Sequence, residues 1–416
     1  MKYIRFQLMT LMALLLLACS AQAAELTLEE CVAAALAKHP DLAGSAAQAE
    51  SAQAAISQNA ADGRLQASAG ASYTRSDGSF IDDNGDYGTN VTLNQSVWDG
   101  GKRDLKVKGA RISAAAASSD YMEQRDTVIA NVKTAYYGLN SAQRQRDVAK
   151  LRYGNYEKRL NWAKSYYEVG TKPKIEVTKA ESDLASSKLT LVKAESAIAQ
   201  RKAELASAMG EPLLKIGAVR DALGYESWSV AAEDAVNRAI ANRAELAAQQ
   251  KRVEYAKTNL DLQKRGLAPS VTASAGYNTG GSSMFDADGW NAKLSFSVPL
   301  LDGGLTKSRI EGAQADLKAA QAKMDSLSNS VMLEVRKAWQ GLIEAEEALK
   351  ASAEAERQAK ATYDLAEGRY KAGVGDSLEI SDAVDSYAAA QANTVISLYE
   401  CKTARLGLER AMGGLE

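Results

Sequence analysis

The sequence predicts a mostly α-helical chain with a smaller share of membrane β-structure, in which one helix–β-hairpin–long helix–turn–helix unit is written twice. Three observations predict it. Proline occurs only five times in 416 residues, at Pro40, Pro173, Pro212, Pro269 and Pro299. Long stretches rich in Ala, Glu, Lys, Gln and Leu therefore run without a helix breaker. Short motifs return at a constant offset of 203 residues. Four short segments alternate apolar and polar side chains with period two.

The N-terminus has the three parts of a cleaved export signal, residues 1–23. Lys2 and Arg5 precede an apolar run from Leu8 to Ala18, and Ala21-Gln22-Ala23 supplies the cleavage pattern. The apolar run is too short to span a bilayer as a helix. Leu16-Leu17-Ala18-Cys19 also resembles a lipid-attachment motif, with Leu17 atypical there, so cleavage after Ala23 is preferred. Cys31 and Cys401 remain in the mature chain. Each sits alone in an apolar helical pattern, which favours a buried free thiol over a disulfide.

A first helix is expected over 27–60, opened by a capping box of Thr27 and Glu30, with a kink or break at Pro40. Strands follow over 64–74 and 89–98. In the first, Leu65, Ala67, Ala69, Ala71 and Tyr73 oppose Gln66, Ser68, Gly70, Ser72 and Thr74. Their length, about nine to eleven residues, matches a tilted strand crossing a bilayer. A polar loop, 76–88, joins them. Segment 102–168 then carries no proline and at 1.5 Å per residue would run for roughly 100 Å as a helix. A turn over 169–176 leads to a return helix, 174–210.

The second copy repeats this order. Its first helix is expected over 231–265, its strands over 270–278 and 290–298 with a loop at 279–289, its long helix over 305–371 and its return helix over 377–412. Val97-Trp98-Asp99-Gly100-Gly101 returns as Leu300-Leu301-Asp302-Gly303-Gly304. Ala135-Tyr136-Tyr137-Gly138-Leu139 returns as Ala338-Trp339-Gln340-Gly341-Leu342, and Ala208-Met209-Gly210 as Ala411-Met412-Gly413. The chain is therefore divided into a first repeat, 24–210, a linker, 211–229, and a second repeat, 230–416. Val331, Val335, Ala338, Leu342, Ala345, Leu349 and Ser352 follow heptad spacing, so the long helix packs as a coiled coil, with the return helix as partner.

Composition excludes several functions. Fifty Lys and Arg against 52 Asp and Glu give no basic excess for a nucleic-acid partner. One His and three Cys leave little material for a metal or His-based catalytic centre, and no phosphate loop or nucleophile elbow stands out. His39 reads as an ordinary helix residue. No cofactor and no enzyme activity are expected. Four strands cannot close a barrel, and an open sheet edge is not tolerated in lipid. Other subunits must complete the sheet. Three chains would give twelve strands, although two or four also satisfy closure. A soluble periplasmic coiled-coil scaffold or adaptor is the alternative reading.

The paired junctions (Trp98-Asp99-Gly100-Gly101 and Pro299-Leu300-Leu301-Asp302-Gly303-Gly304), the paired Tyr-x-x-Gly turns at Tyr167 and Tyr370, the Met-Gly ends and the opening Leu26-Thr27-Leu28-Glu29-Glu30 resemble the TolC family of outer-membrane efflux proteins. The resemblance covers essentially the whole mature chain. It implies a homotrimer in the outer-membrane lipid of a Gram-negative bacterium, with a twelve-stranded β-barrel continued by a periplasmic α-helical barrel. It implies a passive duct for tripartite efflux or type I secretion, docked on a periplasmic adaptor and driven by an inner-membrane transporter.

The same resemblance marks the turns. Glu379 and Asp382, three apart and hence on one helix face, match acidic residues that ring the family's pore. Such rings attract cations and tune gating. Tyr370 matches a tip-latch tyrosine and Glu176 its acidic partner. Gly375 stands where the latch arginine is expected, which leaves Lys172 or Lys174 to substitute. Val169-Gly170-Thr171 and Ala372-Gly373-Val374 match the family's adaptor contact. From the residues alone, Gly170, Gly373 and Gly375 allow tight turns, Pro173 suits the start of a helix, and acids such as Glu176 and Asp376 are ordinary dipole partners in a first helical turn.

Overall fold

The computed structural model describes residues 25–75, 85–282 and 287–415. The expected export signal, Cys19, and the loop segments 76–84 and 283–286 lie outside them. In chain order the described elements are α1 (Leu28–Lys38), α2 (Pro40–Ala61), β1 (Gln66–Arg75), β2 (Gly85–Trp98), α3 (Lys102–Glu168), α4 (Lys174–Ala208), α5 (Ala232–Asn242), α6 (Ala244–Lys264), β3 (Ser270–Gly281), β4 (Ala287–Ser297), α7 (Leu305–Lys371) and α8 (Ser377–Ala411). The two long helices have 67 residues each, and the two return helices 35 each. No helix among the described residues is long and apolar enough to cross a membrane.

The capping box forms as expected. Glu30 N–H donates to Thr27 Oγ1 at 3.2 Å, and Thr27 N–H donates to Glu30 Oε2 at 2.9 Å. The first helix then breaks at His39, before Pro40. His39 is the C-terminal cap of α1 rather than a residue inside a helix. The segment 231–265, expected as one helix, also breaks, at Arg243, where there is no proline.

Both breaks meet the far ends of the return helices. Gly210 and Gly413 follow α4 and α8 with φ of 79° and 76°. A Cβ on Gly210 would lie 2.9 Å from His39 Cα, and one on Gly413 would lie 2.8 Å from Arg243 Cα. Each return helix thus ends on the backbone of a break. The notch is present in both copies, but only one of them carries a proline.

The strands form one antiparallel sheet in the order β1-β2-β3-β4. The register places Ala69 beside Val91, Val91 beside Tyr277 and Tyr277 beside Trp290, so the apolar rows of both hairpins share one face. The ladder runs further than the alternation predicts. Residues 85–88, 279–281 and 287–289, expected in loops, are paired. Gly280 permits this, because a Cβ there would meet Tyr87 O at 2.5 Å. Among the described residues nothing covers the apolar face: Trp290 is 80% exposed and Leu294 74%.

The chain divides into two compact units, each drawing on both copies: residues 1–43, 124–243 and 331–416 in one, 44–123 and 244–330 in the other. The sheet belongs to the second. The core of the first gathers Cys31, Val128, Val132, Tyr136, Leu139 and Leu205. The linker crosses α3 there as an extended strap, with the Tyr136 hydroxyl bonded to Leu26 O at 2.9 Å and Arg220 O at 2.7 Å. Val331, Val335 and Leu342 of the heptad seam are buried. The seam meets α8, where Thr394 Oγ1 donates to Ser352 O at 3.2 Å. Cys31 and Cys401 are buried free thiols.

Candidate functional site

The turn after α3 closes with Gly170 N–H on Tyr167 O at 3.0 Å and Thr171 N–H on Tyr166 O at 2.9 Å. The turn after α7 closes with Gly373 N–H on Tyr370 O at 3.0 Å and Val374 N–H on Arg369 O at 3.2 Å. Both are helix C-terminal motifs with a left-handed glycine; φ is 76° at Gly170 and 75° at Gly373. Gly375 serves a different purpose. It needs no left-handed backbone, but a Cβ there would sit 2.8 Å from Tyr370 N. No side chain fits at 375, and an arginine least of all.

Arginine chemistry enters from Arg159 on α3, which sequence reading passed over. Its side chain is 1% exposed. It forms an ion pair with Asp183 of α4 and donates to Ser377 Oγ at 2.7 Å and Ser381 Oγ at 3.2 Å, both on α8. One guanidinium fork thereby ties three helices of two hairpins. Beside it, Asp385 of α8 takes hydrogen bonds from the Tyr156 hydroxyl and from Arg152 Nε at 3.0 Å. Burial, reinforced by the Asp385 bond, pushes the Tyr156 phenol up to about 12. Among the described residues neither Lys172 nor Lys174 forms an ion pair.

Tyr370 is 1% exposed and packs against Trp162 and Tyr166. The Tyr166 hydroxyl donates to Tyr370 O at 3.0 Å, a second tie between the hairpins. The Tyr370 hydroxyl and Glu176 Oε2 are both buried, yet neither has a hydrogen-bond partner among the described residues. The two are close enough for the Glu176 charge to act on the phenol, which burial raises and the Arg159 charge pulls back. No hydrogen bond joins the two side chains among the described residues.

Glu379 and Asp382 lie on the exposed face of α8, opposite the buried Ile380, Ala383 and Val384. Glu379 is paired with Arg369 of α7 at 3.0 Å. At the turns, Val169 and Val374 are each 71% exposed. Ile175 and Leu378, equivalent positions in the two copies, are exposed as well, and the sequence reading did not single them out.

The strand-to-helix junctions are capping devices. Asp99 accepts Gly101 N–H at 3.1 Å and Arg103 N–H, and Asp302 accepts Gly304 N–H at 3.1 Å and Thr306 N–H at 2.8 Å. Gly100, Gly101, Gly303 and Gly304 all have positive φ. The Thr306 hydrogen bonds hold the half-buried Asp302 carboxyl below its usual range. Pro299 is exposed just past β4.

Two β-hairpins laid edge to edge, each leading into a long helical hairpin, define the outer-membrane efflux channel fold. Crystal structures of CusC match with a TM-score of 0.80 over 94% of this chain and 93% of that one, at 16% identity. The outer membrane protein VceC of Vibrio cholerae matches at 0.76 over 93% and 96%, at 20% identity. In sequence the chain is 23% identical to the outer membrane protein TolC of Escherichia coli over 404 residues, 91% of this chain and 80% of TolC. It is 22% identical to the pyoverdine export outer membrane protein OpmQ of Pseudomonas putida over 328 residues, 76% of this chain and 67% of OpmQ. The outer membrane efflux protein family matches residues 31–211 and 235–414. The chain belongs to that family: it is an efflux protein of the Gram-negative outer membrane, in a family of transport channels rather than enzymes.

Proposed function

We propose that three copies form the outer-membrane duct of a tripartite efflux or type I secretion system, coupled through a periplasmic adaptor to an inner-membrane transporter that supplies the energy. The sheet carries this reading. Among the described residues β1 and β4 each pair on one side only, and the apolar face is bare. Lipid accepts that face but not the open edges, and three chains close them into twelve strands.

The hairpin turns are the closable end. The exposed Val169, Val374, Ile175 and Leu378 give the adaptor an apolar contact beside the flexible backbone of Gly170 and Gly373, with Thr171 and Ala372 completing the tips. Glu379 and Asp382 form two rings of three carboxylates, with Arg369 holding Glu379 in place. The Arg159 fork, with Tyr370 and Glu176 beside it, keeps the two hairpins together until opening.

Replacing Glu379 and Asp382 with Ala should weaken block by divalent cations in planar-bilayer recordings. Unchanged block and conductance would remove these residues from the pore.

A further inference from the structure

The polar face of the sheet carries an uneven charge. One cross-strand row runs Gln66–Asn94–Ser274–Lys293, each residue paired with the next. The neighbouring rows on this face hold Ser68, Thr92, Gly276 and Asn291, then Gly70, Asn90, Asn278 and Gly289. All are neutral. Lys293 is therefore the one charged side chain in these three rows, and Asp86, paired with Thr74 further along, is an acid on the same face.

A cavity of about 410 Å³ opens on the same row and adds a second cation, Arg64. Its one acid, Asp62, is already paired with Lys106 at 3.2 Å. Among the described residues Arg64 and Lys293 have no ion-pair partner. Both are exposed. Ammonium and guanidinium groups are donors only, and the Gln66, Asn94 and Ser274 side chains add further donors. Donors converging on a cavity with two unneutralised cations suit an oxyanion.

We propose that this face is a station for anionic cargo, where Lys293 and Arg64 attract carboxylate- or phosphate-bearing solutes passing through the barrel. The inference rests on the channel reading, since closure is what turns the polar face into a lumen. Threefold symmetry then sets three Lys293 side chains at one height. Charge is screened over about 8–10 Å at physiological salt, so each cation acts on whatever passes within that reach, and more strongly in dilute salt.

The test is ion selectivity of the full mature protein in planar bilayers under a potassium chloride gradient, with citrate as the anionic probe. The Lys293→Glu variant should lower the chloride-to-potassium permeability ratio by about twofold or more, with the larger change in dilute salt. Citrate added on the barrel side should block the native channel and block Lys293→Glu several-fold less. Lys293→Arg should keep both properties, and Arg64→Gln should reduce them. Conducting variants with native selectivity and native citrate block would overturn the anion station. No conductance from the native protein would instead overturn the channel reading beneath it.

Discussion

Arg159 shows what a single residue can hide. In sequence it is one of 50 basic residues, placed on a polar helix with nothing to mark it. Its burial comes from α4 and α8 folding back over α3, contacts made across 24 and 218 to 222 residues of chain. Local pattern carries no trace of that. Losing Asp183 would leave a buried guanidinium uncompensated. Asp183→Ala should therefore destabilise the protein by about 3 kcal/mol, whereas a shape-matched Arg159→Met with Asp183→Leu should cost far less. Thermal unfolding of the three proteins measures both. The thiols offer a second check. Burial pushes Cys31 from 9.0 up to about 11 and raises Cys401 as well. The folded state favours the protonated thiol, so this contribution is complete below pH 9 and fades as pH rises through 9 to 11. Maleimide at pH 8 should label neither cysteine until the protein is unfolded.

Among the elements, the long helices were the most legible and the breaks the least. Absence of proline between recurring glycine junctions gave α3 and α7 to the residue, and a heptad seam supported α7, because those signals are local and repeated. The break at Pro40 was legible for the same reason. The break at Arg243 was not, since no proline marks it and the residue seated against it, Gly413, lies far along the chain. Strand ends were under-read because glycine-rich ladders look like loops in sequence, although Gly280 is there to let strands approach. The notch leads to a graded expectation. Gly210→Ala and Gly413→Ala combine a left-handed backbone with Cβ contacts under 3.0 Å to backbone, and each should cost about 2–3 kcal/mol. Gly170→Ala has the same φ but open space around it, and should cost only about 1 kcal/mol. Equal losses at all three sites in chemical denaturation would remove the notch as a docking feature.

At the scale of the molecule, duplication explains why the sequence announced its architecture so clearly. Two copies with equal long helices and equal return helices lay their β-hairpins side by side, and the join between β2 and β3 makes one sheet of four strands. Among the described residues nothing covers its apolar face or pairs with its outer strands, and in the proposed trimer lipid and the neighbouring copies supply both. What passes through was not legible in composition, because charge is balanced overall; it is the placement of Lys293 and Arg64 at one end of a largely neutral face that carries information. The central claim is that closure takes three chains. Native mass spectrometry of the protein extracted from outer membranes in detergent tests it most directly. A single species with three times the mass of the mature chain is predicted; a monomer, or an assembly of two or four, would contradict it.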